Sequence, residues 1–149
     1  MALLRDLASS FRYVQLVAPA TASNSDNQSG TESDVGMARR GTLVVNLTKT
    51  STGLTNLAVY TSETSSFTES TSNRCTMTQD TTNSTGTVTV TTNEIVALDT
   101  TGIYIFDVED LERYVNIEYD GDDADSIVAM TLLAHQLRES PYVAARSGY

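Results

Sequence analysis

The chain has 149 residues, 40% hydrophobic and only 19% charged, with a net charge of −10, one Cys, one His and no Trp. That length and apolar share suit one domain with a core of its own. The charge is uneven: residues 1–50 hold five cations (Arg5, Arg12, Arg39, Arg40, Lys49) against four acids, which leaves −11 for the remainder. A body this acidic is repelled by phosphate backbones and anionic lipid, so neither nucleic acid nor a membrane is expected as a direct partner. A roughly neutral N-terminal third remains able to meet an oppositely charged protein surface.

Leu3, Leu4, Leu7 and Phe11 open the chain at helical spacing, which predicts an N-terminal arm over residues 1–13, either a short amphipathic helix or an extended segment ordered by a partner. The segment carries charges where a signal peptide needs an apolar core. "VQLVAPAT" reads as a strand ended by Pro19, and "ASNSDNQSGTESD" as a polar loop. "RGTLVVNLTKT" and "TNLAVYTSE" are strands. The polar stretch from Thr64 to Ser84 reads as a loop with one edge strand. "TGTVTVTTNEIVAL" alternates strictly, with Val88 and Val90 on one face. "GIYIFDVE", "RYVNIEY" and "SIVAMTLLA" follow as strands. Residues 51–100 hold 16 Thr, a β-branched residue suited to half-exposed pleated surfaces.

Seven or eight short strands with turns between them predict an all-β fold, an antiparallel β-sandwich of jelly-roll-like form over residues 14–138. No connection has the amphipathic helix that a parallel crossover needs. "LRESPYVAARSGY" breaks at Pro141, and residues 139–149 read as an extended tail with Tyr142 and Tyr149 as anchors.

The segment between the last two strands holds Asp120, Asp122, Asp123 and Asp125. Asp120-Gly121 is a turn dipeptide, so the expected setting is a hairpin tip in water. Calcium is the functional alternative. However, the ligand order of an EF-hand is absent: counting from Asp120 puts Ala124 at position five, and counting from Asp122 puts it at position three. No metal or other cofactor is expected. Cys75 has no second Cys, and a nucleophile role would require His135, which lies among Leu132, Leu133 and Leu137 and reads as a structural residue. No phosphate loop or paired-carboxylate motif is present, so an enzyme is not expected.

Several short signals follow one another in a suggestive order: Pro19-Ala20-Thr21 closing an aliphatic strand, "GTLVV" from Gly41 to Val45, "RYVNI" from Arg113 to Ile117, and Arg138 to Tyr142 after the last strand. In this the chain resembles the small accessory head proteins of tailed bacteriophages. The resemblance spans most of the chain through diffuse signals. It implies a capsid decoration, or cement, protein on the outer surface of the virion, a homotrimer that binds the major capsid protein and clamps neighbouring subunits. A clamp needs apolar anchors across subunit boundaries rather than catalytic groups. The candidates are Leu3, Leu4, Leu7, Phe11 and Tyr13 in the arm, Tyr142, Val143 and Tyr149 in the tail, and Arg39 and Arg40 for charge complementarity. Each of these also has a structural reading, since Phe11 or Tyr142 would equally cap the domain's own core. Another virion part (head fibre base, neck or tail) and a host-surface glycan-binding β-sandwich are the alternatives.

Overall fold

The computed structural model describes residues 11–22, 28–50, 53–91, 93–121 and 126–135. Eleven strands form two antiparallel sheets: β1 (Phe11–Ala22), β2 (Gln28–Ser29), β3 (Ser33–Asp34), β4 (Arg40–Thr48), β5 (Leu54–Ser62), β6 (Thr76–Gln79), β7 (Val90–Thr91), β8 (Glu94–Ile95), β9 (Gly102–Glu109), β10 (Tyr114–Gly121) and β11 (Ser126–His135). A single 3-10 turn, Thr71–Asn73, is the one helical element among the described residues.

One sheet runs β1-β11-β4-β9-β6. The other runs β2-β10-β5-β8-β7, with β3 also on β10. The pairing is nested: β1 with β11, β2 and β3 with β10, β4 with β9, β5 with β8. That is the pairing of a jelly roll, in which one long antiparallel ribbon is rolled into two facing sheets. The expected β-sandwich is therefore present.

Period-2 alternation explains the core. β4 turns Leu43, Val45 and Leu47 inward, β9 Tyr104, Phe106 and Val108, and β11 Val128, Met130 and Leu132. They meet Leu57 and Val59 of β5 and Val115, Ile117 and Tyr119 of β10. The outward residues Tyr60 and Asn116 are buried as well, because the segment between β5 and β6 reaches them. The Arg74 guanidinium lies 5.7 Å from the Tyr60 ring centre, and Asn116 Nδ2 donates to Glu69 Oε1 at 2.6 Å.

Four expectations change. β1 passes through Pro19 instead of ending there. It is an edge strand, so the missing N–H breaks no ladder, and register shifts at Gln15/Val17 and Val17/Ala20 absorb the irregularity. The sheet begins at Phe11, so Phe11, Arg12 and Tyr13 belong to β1 and not to the arm. The alternating run around Val88 is not one strand; β7 and β8 form a tight hairpin, with Asn93 at φ 60 in its turn. β10 and β11 do not form a hairpin either. Asp120 and Gly121 lie within β10, paired with Asn56 and Leu54, while β11 belongs to the opposite sheet. The acidic segment is thus a crossing between sheets. The rest of the arm, the tail, and Asp122, Asp123 and Asp125 lie outside the described residues.

Candidate interaction surface

The two ends of the sandwich differ. At one end the start of β1 and the close of β11 meet the connections β3–β4, β5–β6 and β9–β10. Asp34 organises this end. Its Oδ1 accepts from Gly36 N at 2.8 Å, and Gly36 takes φ 67, a left-handed conformation that glycine adopts without strain. Val35 and Ala38 point into the core from this turn, so Met37 projects outward and is 78% exposed. Asp34 Oδ2 accepts from Arg113 Nε and Nη2 at 3.3 and 3.2 Å, and Arg12 reaches Oδ1 at 4.0 Å from the other sheet. The Gly36 N–H first, and then Arg113 and Arg12, hold the Asp34 carboxyl below its ordinary range.

Arg39 and Arg40 lie side by side at the same end. Arg39 Nη1 donates to Leu111 O at 3.4 Å and to Glu63 Oε1 at 3.5 Å, while Arg40 pairs with Glu109. Two clefts flank them. One of about 440 Å³ is lined by Arg12, Asp34, Met37, Arg39, Glu63 and Arg113. The other, about 430 Å³, is lined by Arg39, Arg40, Glu109, Asp110, Leu111 and Glu112. Four of the six cations among the described residues therefore gather at one end of an acidic protein. Their side chains are about half exposed or more. Exposed ion pairs of this kind contribute little to stability but remain free to exchange partners.

The candidates chosen from sequence fall into place around this end. Phe11 and Tyr13 stand on the outward face of β1, with Tyr13 66% exposed. Phe11 stacks edge to face on His135, ring centres 5.0 Å apart, so the described chain starts and stops at one point. Leu3, Leu4 and Leu7 precede that point in the chain, and Tyr142, Val143 and Tyr149 follow it; all six lie outside the described residues. Asp120 is at the opposite end, with one carboxylate oxygen buried and without a hydrogen-bond partner among the described residues. No group of three or more metal-ligating side chains occurs among the described residues. Sequence reading missed Met37, Asp34, Arg12 and Arg113. The available clue was Asp34-Val35-Gly36, an Asx-turn spacing just before a strand.

Cys75 and His135 are not poised for covalent chemistry. Cys75 is fully buried, and burial, with Asp110 adding to it, pushes its thiol up to about 12. His135 is half-buried on the outer face of its sheet, 3.1 Å from Thr42 Oγ1 through Nε2. No helix among the described residues is long and apolar enough to cross a membrane. No protein-family model, curated protein or solved structure matches the chain.

Proposed function

We propose that the protein is a non-enzymatic virion component, a decoration (cement) protein that binds the outside of an assembled phage head as a homotrimer and clamps neighbouring capsid subunits. The observation that supports this reading best is the convergence on one end of the jelly roll. Met37, Phe11, Arg39 and Arg40 gather there, and the described chain begins at Phe11 and closes at His135 there. An exposed apolar knob ringed by arginines is the composition of an interface centre, where few side chains carry most of the energy. The close of β10, with Asp120, lies at the far end, which would face solvent once the arginine end is docked. Many weak copies on one particle then act together through multivalency.

The test is co-sedimentation with empty, expanded heads of a tailed phage that encodes the protein. The wild-type chain is expected to pellet with the shells, and Met37→Asp and Arg39→Glu to remain in the supernatant with circular dichroism unchanged. Wild-type chain left in the supernatant would overturn the reading. Binding to tails or necks alone, or to host glycans, would favour the other virion roles.

A further inference from the structure

The outer faces of the two sheets are not alike. The segment carrying Glu69 and Arg74 covers part of the β10–β5 sheet, which buries the outward Tyr60 and Asn116. No described element plays that part for the five-stranded sheet. Its outward residues follow from the register in rows across β1, β11, β4 and β9. One row is Tyr13, Leu133, Thr42, Asp107; the next is Gln15, Thr131, Val44, Ile105; then come Ala129, Asn46, Ile103. Ile127 follows opposite Thr48. Ile103 and Ile127 are 48% and 49% exposed. Of the six exposed large hydrophobic residues described, four stand on this face: Phe11, Tyr13, Ile103 and Ile127. An antiparallel sheet facing water carries polar residues outward, so the aliphatic residues Val44, Ile105, Ile103 and Ile127 among uncharged polar ones in the middle of an outer face suit a covered surface.

Charge indicates what covers it. The rows from Gln15 to Thr48 contain no ionisable side chain, in a protein of net charge −10. Another copy of an acidic protein is repelled across most surfaces, but not across this one. The charged groups occupy one end of the face and are divided by column. The acids Asp107 and Glu109 stand on β9, and Arg40 on β4. The apolar residues also fall into columns, Leu133, Ala129 and Ile127 on β11 with Thr131 between them, and Ile105 and Ile103 on β9. Laying the β11 side of one copy against the β9 side of the next sets aliphatic column on aliphatic column, and Arg40 near acids. A foreign partner has no such reason to match.

We propose that the outer face of the five-stranded sheet is where copies of this chain associate with one another in solution. The inference deepens the homotrimer part of the reading above by naming the face through which copies meet; it requires no shell and uses a different surface from the arginine end.

The experiment is sedimentation velocity on the full chain over a concentration series. The wild type is expected at a multiple of 16.1 kDa. A charge at the centre of the face, Ile105→Glu or Ile103→Glu, should weaken association by about thirtyfold or more, the effect of losing an interface hot spot. Both variants should keep the wild-type circular dichroism, since both side chains point outward. Val96→Glu alters an equally exposed aliphatic side chain outside these rows and should leave the mass unchanged. A monomeric wild type, or an oligomer indifferent to both isoleucine variants, overturns the proposal. An oligomer lost on deletion of residues 136–149 yet kept by Ile105→Glu overturns it too, and assigns the contact to the tail. Shell binding by a monomer would overturn this proposal and leave the shell-binding part of the capsid reading, and a stable oligomer that ignores shells would leave this one.

Discussion

The rings of Phe11 and His135 meet edge to face, 5.0 Å between centres and 88° between planes. This contact closes the first and last strands at the end where the arginines gather. The described sheet begins at Phe11, so the residues open to truncation ahead of it are 1–10. Deleting residues 1–10 should leave circular dichroism and Tm unchanged and remove shell binding if the arm is an anchor. Deleting residues 1–13 also removes Phe11 and Tyr13 from β1, with their pairing to His135 and Leu133, and should lower Tm. Phe11→Ala alone should cost about 1 kcal/mol, the ring pair plus a half-exposed side chain. Thermal melts of the three variants check this. Equal melting of the two truncations would show that the first turns of β1 contribute nothing.

The carboxylate of Asp34 joins two sheets and a turn, and acid should undo that junction. The Gly36 N–H first, then Arg113 and Arg12, hold the group below its ordinary 3.8. Asp80 and Asp99 are also lowered, first by side-chain hydrogen bonds from Asn83 and from Lys49. A carboxyl with a depressed folded value favours the folded state when ionised. Its contribution is intact above 3.8 and is lost as pH falls through the lower folded value. Urea unfolding should therefore show constant stability from neutral pH down to about 4 and a decline below. Asp34→Asn should be less stable at neutral pH and show a shallower decline in acid. A parallel decline in wild type and variant would remove Asp34 from the account.

The strands were legible because alternation survives in one sequence: "GIYIFDVE" is β9 residue for residue, and "SIVAMTLLA" falls one short of β11. The partners were not legible, because a jelly roll pairs strands far apart in sequence. Asp120-Gly121 carries the local signature of a hairpin, yet β10 finds β5 and β11 finds β4. The non-local pairing wins because it buries both apolar faces in one core, which a two-stranded hairpin cannot do. The same holds for the site. Arg39 and Arg40 stood out as a basic pair, but Arg12, Asp34 and Arg113 are assembled from three distant stretches. Alternation on β9 separated Ile103 and Ile105 from Tyr104 and Phe106 without saying which pair faces water; packing decides that.

Cys75 should behave as a core residue. With its thiol pushed up to about 12 by burial, it should resist alkylation by iodoacetamide at pH 8 in the native protein and react at once in denaturant. A thiol raised above its ordinary 9.0 favours the folded state while protonated. That contribution is complete below 9.0 and is lost as pH rises toward about 12, so alkaline unfolding should begin in that window. Cys75→Ser puts a hydroxyl where the thiol was buried and should cost about 1–3 kcal/mol. Rapid labelling of the folded chain would contradict the buried site.

Gly30 stitches the two sheets along one edge. Its N–H donates to Ile117 O of β10 at 2.7 Å, and the next residue, Thr31, donates to Leu16 O of β1 at 2.8 Å. The approach is close because no side chain intervenes. A Cβ at Gly30 would lie 2.6 Å from both the Leu16 carbonyl oxygen and Ile117 Cγ2. The oxygen is backbone and cannot rotate away, so the seam must open. Gly30→Ala should cost about 1–3 kcal/mol, as overpacking of a filled site does, and lower Tm by about 3 °C per kcal/mol in a domain of this size. Gly86 is the control, since a Cβ there meets nothing within 4 Å. Gly86→Ala should be neutral or gain about 0.4–1 kcal/mol by restricting the unfolded chain. Equal melts for the two alanine variants would mean that the seam yields without cost and that the sheets are held together by the core alone.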